Sequence, residues 1–116
     1  MFAVIYKFKL KPAQEELYQY HWHKIAHFFI EHRGAIGSCL HKGDKGLWVA
    51  YSRWPDKQTR DASWPGEKSP DKTLPEDIRH SIQIMQTIKK ENKDLEEAYE
   101  EICLEVVNDL LGICTR

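Results

Sequence analysis

Six histidines in 116 residues raise a metal hypothesis, and His23 and His27 stand four apart, as zinc ligands on a helix often do. The surrounding pattern argues against it. Tyr18, Trp22, Ile25 and Phe29 recur at spacings of four, three and four, marking the inward stripe of a helix. That phase turns His27 nearly opposite and carries His23 round the outer face, beside Glu16 and Glu31. Lys24 stands where the glutamate of an HExxH motif would be. A solvated face is the better reading for both, and for His80 on its own helix; no metal is expected. His21 differs, because it flanks the inward stripe and could reach a pocket as a proton donor or acceptor. A half-buried histidine with its hydrogen bonds satisfied is the commoner outcome. Ser38, Ser52, Ser63, Ser69 and Ser81 have no recognisable base partner, and neither a glycine-rich phosphate loop nor a nucleophile elbow is present. The three cysteines, Cys39, Cys103 and Cys114, form no disulfide framework and no metal-ligand spacing. A reducing, cytoplasmic compartment is expected.

Composition narrows the partners. Apolar residues make up 41% and charged residues 30%, as in an ordinary globular protein. Seventeen Lys and Arg against eighteen Asp and Glu leave a net charge of −1, which predicts no attraction to nucleic acid or an anionic membrane. Met1 to Lys7 lacks the features of a signal peptide, and no stretch approaches the roughly 20 apolar residues of a membrane span. A single domain over 1–116 is expected.

The elements that would position these residues follow in order. Phe2 to Leu10 alternates as a strand, with Phe2, Val4, Tyr6, Phe8 and Leu10 on an apolar face. Residues 13–32 read as a helix, capped by Gly34. Gly34 to Lys42 and Leu47 to Trp54 form a hairpin around Gly43-Asp44-Lys45-Gly46, with positive φ expected at one or both glycines. A short helix follows Pro55 and ends at Trp64. Residues 65–75, with three prolines, read as a surface loop in the place where lids sit. From Pro75 a second long helix carries Ile78, Ile82, Met85 and Ile88 inward, and Leu95 to Tyr99 adds a further turn or two. The acidic run Glu96 to Glu101 reads as its solvated end. Residues 102–111 read as the last strand, with Ile102, Leu104, Val106 and Asn108 on one face.

The order β-α-β-β-α-β predicts an α+β, ferredoxin-like sheet with helices on one face. The first and last strands become antiparallel neighbours, so Lys7 and Lys9 could face Glu105 and Asp109, each pair adding about 0.2–1 kcal/mol. Ile5, Trp48, Ala50, Trp54 and Val107 are expected on the helix-free face. An exposed apolar surface of that kind predicts a homodimer joined sheet to sheet.

The run Leu47-Trp48-Val49-Ala50-Tyr51-Ser52-Arg53-Trp54, the helix ending Ala62-Ser63-Trp64 and the strand Leu104-Glu105-Val106-Val107-Asn108-Asp109 resemble the antibiotic biosynthesis monooxygenase (ABM-like) domains of the dimeric α+β barrel superfamily. The resemblance implies a dimeric α+β barrel with a small apolar pocket in each subunit between sheet and helices. Some members oxidise aromatics with oxygen and no cofactor, others degrade haem, and others have no demonstrated activity. The haem-degrading branch usually has an asparagine on the first strand, where this chain has Tyr6 and Lys7. On these grounds Trp22, Tyr51, Trp64 and Asn108 are the expected substrate contacts, with His21 and Tyr6 as catalytic groups; taken singly, each also fits an ordinary core role. Two functional readings stand. One is a cofactor-independent monooxygenase acting on a small aromatic or phenolic substrate. The other is a non-catalytic dimeric module that binds a small molecule in the same pocket.

Overall fold

Phe2–Lys9 (β1) is one of two inner strands of the sheet, and its alternation decides what each neighbour buries. The computed structural model describes residues 1–63, 73–92 and 99–111. After β1 and a 3-10 turn at Pro12–Gln14 come α1 (Glu15–His32), β2 (Gly37–Lys42), β3 (Leu47–Trp54), α2 (Lys57–Ser63), α3 (Glu76–Glu91) and β4 (Tyr99–Glu105). The strands are antiparallel in the order β2-β3-β1-β4, the ferredoxin-like arrangement, with the helices on one face.

Local chemistry sets the ends of the elements. Pro12 enters the first turn while the Lys11 amide donates to Gln14 Oε1 at 3.0 Å. At the other end of α1, Gly34 takes φ +83° and lets the Ala35 amide return to the Phe29 carbonyl at 3.2 Å. In the hairpin, Gly46 has φ +79° and Lys45 joins it at +56°, whereas Gly43 keeps negative φ.

The even-numbered residues of β1 face the helices. Val4 packs with Ile25, Phe29, Trp54, Ile78 and Ile82, and Phe8 and Leu10 pack with Trp48, Ala50 and Ile88. Tyr6 lies against both clusters. The register Phe8↔Trp48, Tyr6↔Ala50 and Phe2↔Trp54 puts Trp48, Ala50 and Trp54 beneath the helices, 3–5% exposed, and not on the open face as expected from sequence. Either phase of β3 would bury large apolar groups, so the pairing with β1 decides it.

The last strand is also shifted. β4 starts at Tyr99 and ends at Glu105, so Glu100 and Glu101 are strand residues and not a solvated helix end. Lys7 meets Glu100 at 3.7 Å on the open face, while Glu105 stands opposite Phe2. The chain beyond β4 crosses back over the open face, where Asp109 reaches Arg53 at 2.7 Å. Neither of the expected pairings of Lys7 and Lys9 with Glu105 and Asp109 therefore forms. Of the 65–75 segment, only Thr73 to Pro75 lies within the described residues, and Leu74 is a core residue, 4% exposed.

Candidate functional site

A cavity of about 160 Å³ opens where the two halves of the core meet, walled by β1, β3, α1, α3 and one residue each of β2 and α2. Its lining is mainly apolar, from Phe8, Ile25, Phe29, Ala50 and Ile82 among others. The polar groups on the wall are few, as in ligand sites generally.

Arg60 is the chief of them. Asp56 caps α2 through the Thr59 amide at 2.7 Å, and the turn that follows brings Arg60 over the sheet. Tyr6 and Glu101 are directly opposed across β1 and β4. Arg60 Nη2 donates to both, at 3.0 Å to the Tyr6 hydroxyl and 2.7 Å to Glu101 Oε1. Burial works against the Arg60 charge, but Tyr6 and Glu101 together hold it more firmly than in water. Burial likewise raises the Tyr6 phenol above its ordinary value, with Arg60 pulling the other way. Tyr18, whose ring lies 4.7 Å from that of Phe8, is also raised by burial and then by Tyr6. Both phenols keep their protons at neutral pH. Lys89, also on the wall, is lowered by burial, which Glu101 partly opposes.

Of the residues expected from sequence, Tyr6 and Trp22 line the cavity. Tyr51 borders it, but its register partner is Ile5 and it shares the open face with Ala3 and Arg53. His21 does not line the cavity. It is buried between α1 and α3, with Nδ1 2.8 Å from the Ser81 hydroxyl and the His80 ring 6.3 Å away. Burial, then His80 and Lys24, lowers its pKa and holds it neutral. Asn108 is exposed, three residues past the end of β4, and borders the groove on the open face. The expected strand through residue 111 had placed it inward, and the earlier end of β4 removes that support. Trp64 lies outside the described residues. His23 and His27 are exposed, His27 pairing with Glu31 at 3.0 Å, and no group of three or more metal-binding side chains gathers among the described residues.

Sequence reasoning missed Arg60, Glu101, Lys89 and Asn92. One of these carried a signal: Asn92 continues the 78, 82, 85, 88 stripe of α3 by one more step of four. It is 1% exposed and lines the cavity. Arg60 had none, since α2 is too short to show a phase.

No protein-family model matches the sequence, and no curated protein matches it. Solved structures do. A structure named as an antibiotic biosynthesis monooxygenase superposes with a TM-score of 0.62 at 15% identity, over 93% of this chain and 100% of that one. SnoaB, a cofactor-independent oxygenase from Streptomyces nogalater, gives 0.63 at 11% identity, over 94% and 95%. A conserved protein from Methanosarcina mazei gives 0.65 at 10% identity, over 91% and 92%. Identities this low speak for architecture. By its strand order, its helices on one face and these superpositions, the chain has the fold of the antibiotic biosynthesis monooxygenase-like domains.

Proposed function

We propose that this protein is a cofactor-independent monooxygenase acting on a small aromatic or phenolic substrate held in the cavity between sheet and helices. The observation that carries the reading is the apolar cavity with Arg60 and Tyr6 on its wall. At about 160 Å³ it matches one aromatic ring, since cavities near 150 Å³ take up benzene. A phenol bound there loses its water shell, and a fixed guanidinium favours its anion. The phenolic proton is left with solvent, and Tyr6 keeps its own proton to donate a hydrogen bond. The electron-rich anion reduces oxygen. One oxygen atom enters the ring and the other leaves as water, so phenol and one O₂ give quinone and water with no outside reductant. SnoaB's description as a cofactor-independent oxygenase supports the class of chemistry.

The same proposal includes a homodimer. The open sheet face carries Ile5, Val49, Tyr51 and Ile102, with Leu104 41% exposed, and Val107, Leu110 and Leu111 extend an apolar edge at 91%, 84% and 71%. Cys39 and Cys103 are unpaired, which suits a cytoplasmic setting.

Oxygen uptake tests the activity. Chelator-treated protein, given monocyclic phenols without flavin or haem, should consume one O₂ per phenol and place one ¹⁸O atom in the product. Arg60→Met should slow turnover by at least about tenfold, the scale of a lost charge-stabilising donor. Saturable binding with no uptake above boiled protein would instead establish the binding-module reading.

A further inference from the structure

The cavity wall carries charge of one sign. Among the described residues its charged side chains are Lys9, Arg60 and Lys89, all cations, in a chain with eighteen acids to seventeen bases. Lys9 turns its ammonium to the Lys45 carbonyl at 3.3 Å, out on the hairpin. Arg60 and Lys89 come from different helices and share a neighbour. Glu101 accepts from Arg60 Nη2 at 2.7 Å, and its charge offsets part of the cost of burial at Lys89. Glu101 itself does not line the cavity, and its side chain is 35% exposed against 10% for that of Arg60. The carboxylate thus stands toward solvent, while the two cations border the apolar space. Charge beside dry, apolar space is little screened, so such a wall favours an anion more than exposed lysines do. Arg60 serves the phenol oxygen in the reading above; Lys89 has no role in it.

We propose that the ligand is a one-ring aromatic hydroxy acid, with its carboxylate on the Lys89 ammonium and its phenol oxygen facing Arg60. This rests on the ligand occupying the cavity, as proposed above, and not on any reaction with oxygen. A carboxylate is ionised at neutral pH, so it meets the positive wall without first giving up a proton. Its hydrogen bond to an ammonium is charge-assisted, roughly twice as strong as one between neutral groups. The apolar walls supply affinity for the ring, and Lys89 separates acids from neutral molecules of the same shape.

Calorimetric titration of the intact protein at neutral pH with the 2-, 3- and 4-hydroxybenzoates tests this. The matching hydroxybenzamides keep the size and shape and delete the charge. The best hydroxybenzoate should bind one per chain, about tenfold more tightly than its amide. Lys89→Met should remove most of that preference and leave hydroxybenzamide affinity nearly unchanged, while Lys89→Arg should retain the preference. Glu101→Gln keeps an acceptor for Arg60 but deletes the competing charge, so it should widen the preference if it folds; should it not, the ligand series on the unaltered protein still decides. An amide that binds as tightly as its acid would overturn the proposal, as would a preference that survives Lys89→Met or absence of hydroxybenzoate binding. Acid preference without oxygen uptake by any phenol refutes the monooxygenase and leaves this assignment standing. Oxygen uptake from neutral phenols with no acid preference does the opposite.

Discussion

A guanidinium that is 8% exposed keeps its charge only where partners replace its lost water, and Arg60 has two of them on adjacent strands. Breaking such a set on one side leaves the others buried and unmatched, which costs more than the contact itself. The buried phenols give the residue scale a pH signature. Tyr6 and Tyr18 have folded-state pKa values above the ordinary 10.0, so in the folded state they stay neutral where the unfolded chain ionises. Their contribution is present in full below about pH 10 and is lost as pH rises from there toward the folded values. Urea unfolding carried from neutral to strongly alkaline pH should show stability falling above about pH 10. Tyr18→Phe should flatten that fall; an unchanged slope would mean the phenol is not held neutral. His21 works in the opposite direction. With its pKa lowered, the unfolded chain takes up the proton first, so stability declines as pH drops below about 6.5. His21→Asn should lessen that acid sensitivity, measured by the same unfolding series.

At the scale of elements, the two long helices were legible because each has one apolar stripe at a 3.6 period, and the hairpin was legible from its glycines. β3 was not, because Leu47, Val49 and Tyr51 are as apolar as Trp48, Ala50 and Trp54. Sequence alternation gives the two faces but not which is covered, and the pairing Phe8↔Trp48 supplies the answer. β4 was obscured by its acids. Glu100 and Glu101 look like a solvated helix end, yet each is matched by a cation, Lys7 and Arg60, that is distant in sequence. The same shift took Asn108 out of the site. For the site, Tyr6 and Trp22 could be read from sequence because they lie on regular stripes, while Arg60 is placed by a seven-residue helix with no phase to read. Placement of Trp48 is directly testable. Trp48→Ala should cost about 3–5 kcal/mol in urea unfolding, the range for emptying a large core site. Val49→Ala, one residue on and facing the other way, should cost less than half of that. Equal losses would contradict the register.

For the molecule as a whole, one sheet face is covered by helices and the other presents Ile5, Tyr51, Ile102 and Leu104. Light scattering over a hundredfold dilution should report twice the 13.7 kDa chain mass, and Leu104→Glu should shift the protein toward monomer. A monomer at every concentration would place the apolar face in some other role. If the cavity is a ring-sized binding site, the indole resonances report on it without assuming any chemistry. Trp22 and Trp54 line the cavity, whereas Trp48 is buried outside it. In a ¹H–¹⁵N spectrum assigned with single Trp→Phe variants, phenol should shift the Trp54 and Trp22 indole signals to saturation at one ligand per chain while that of Trp48 stays near its place. Indole signals that do not move, or that all drift together without saturating, would contradict it.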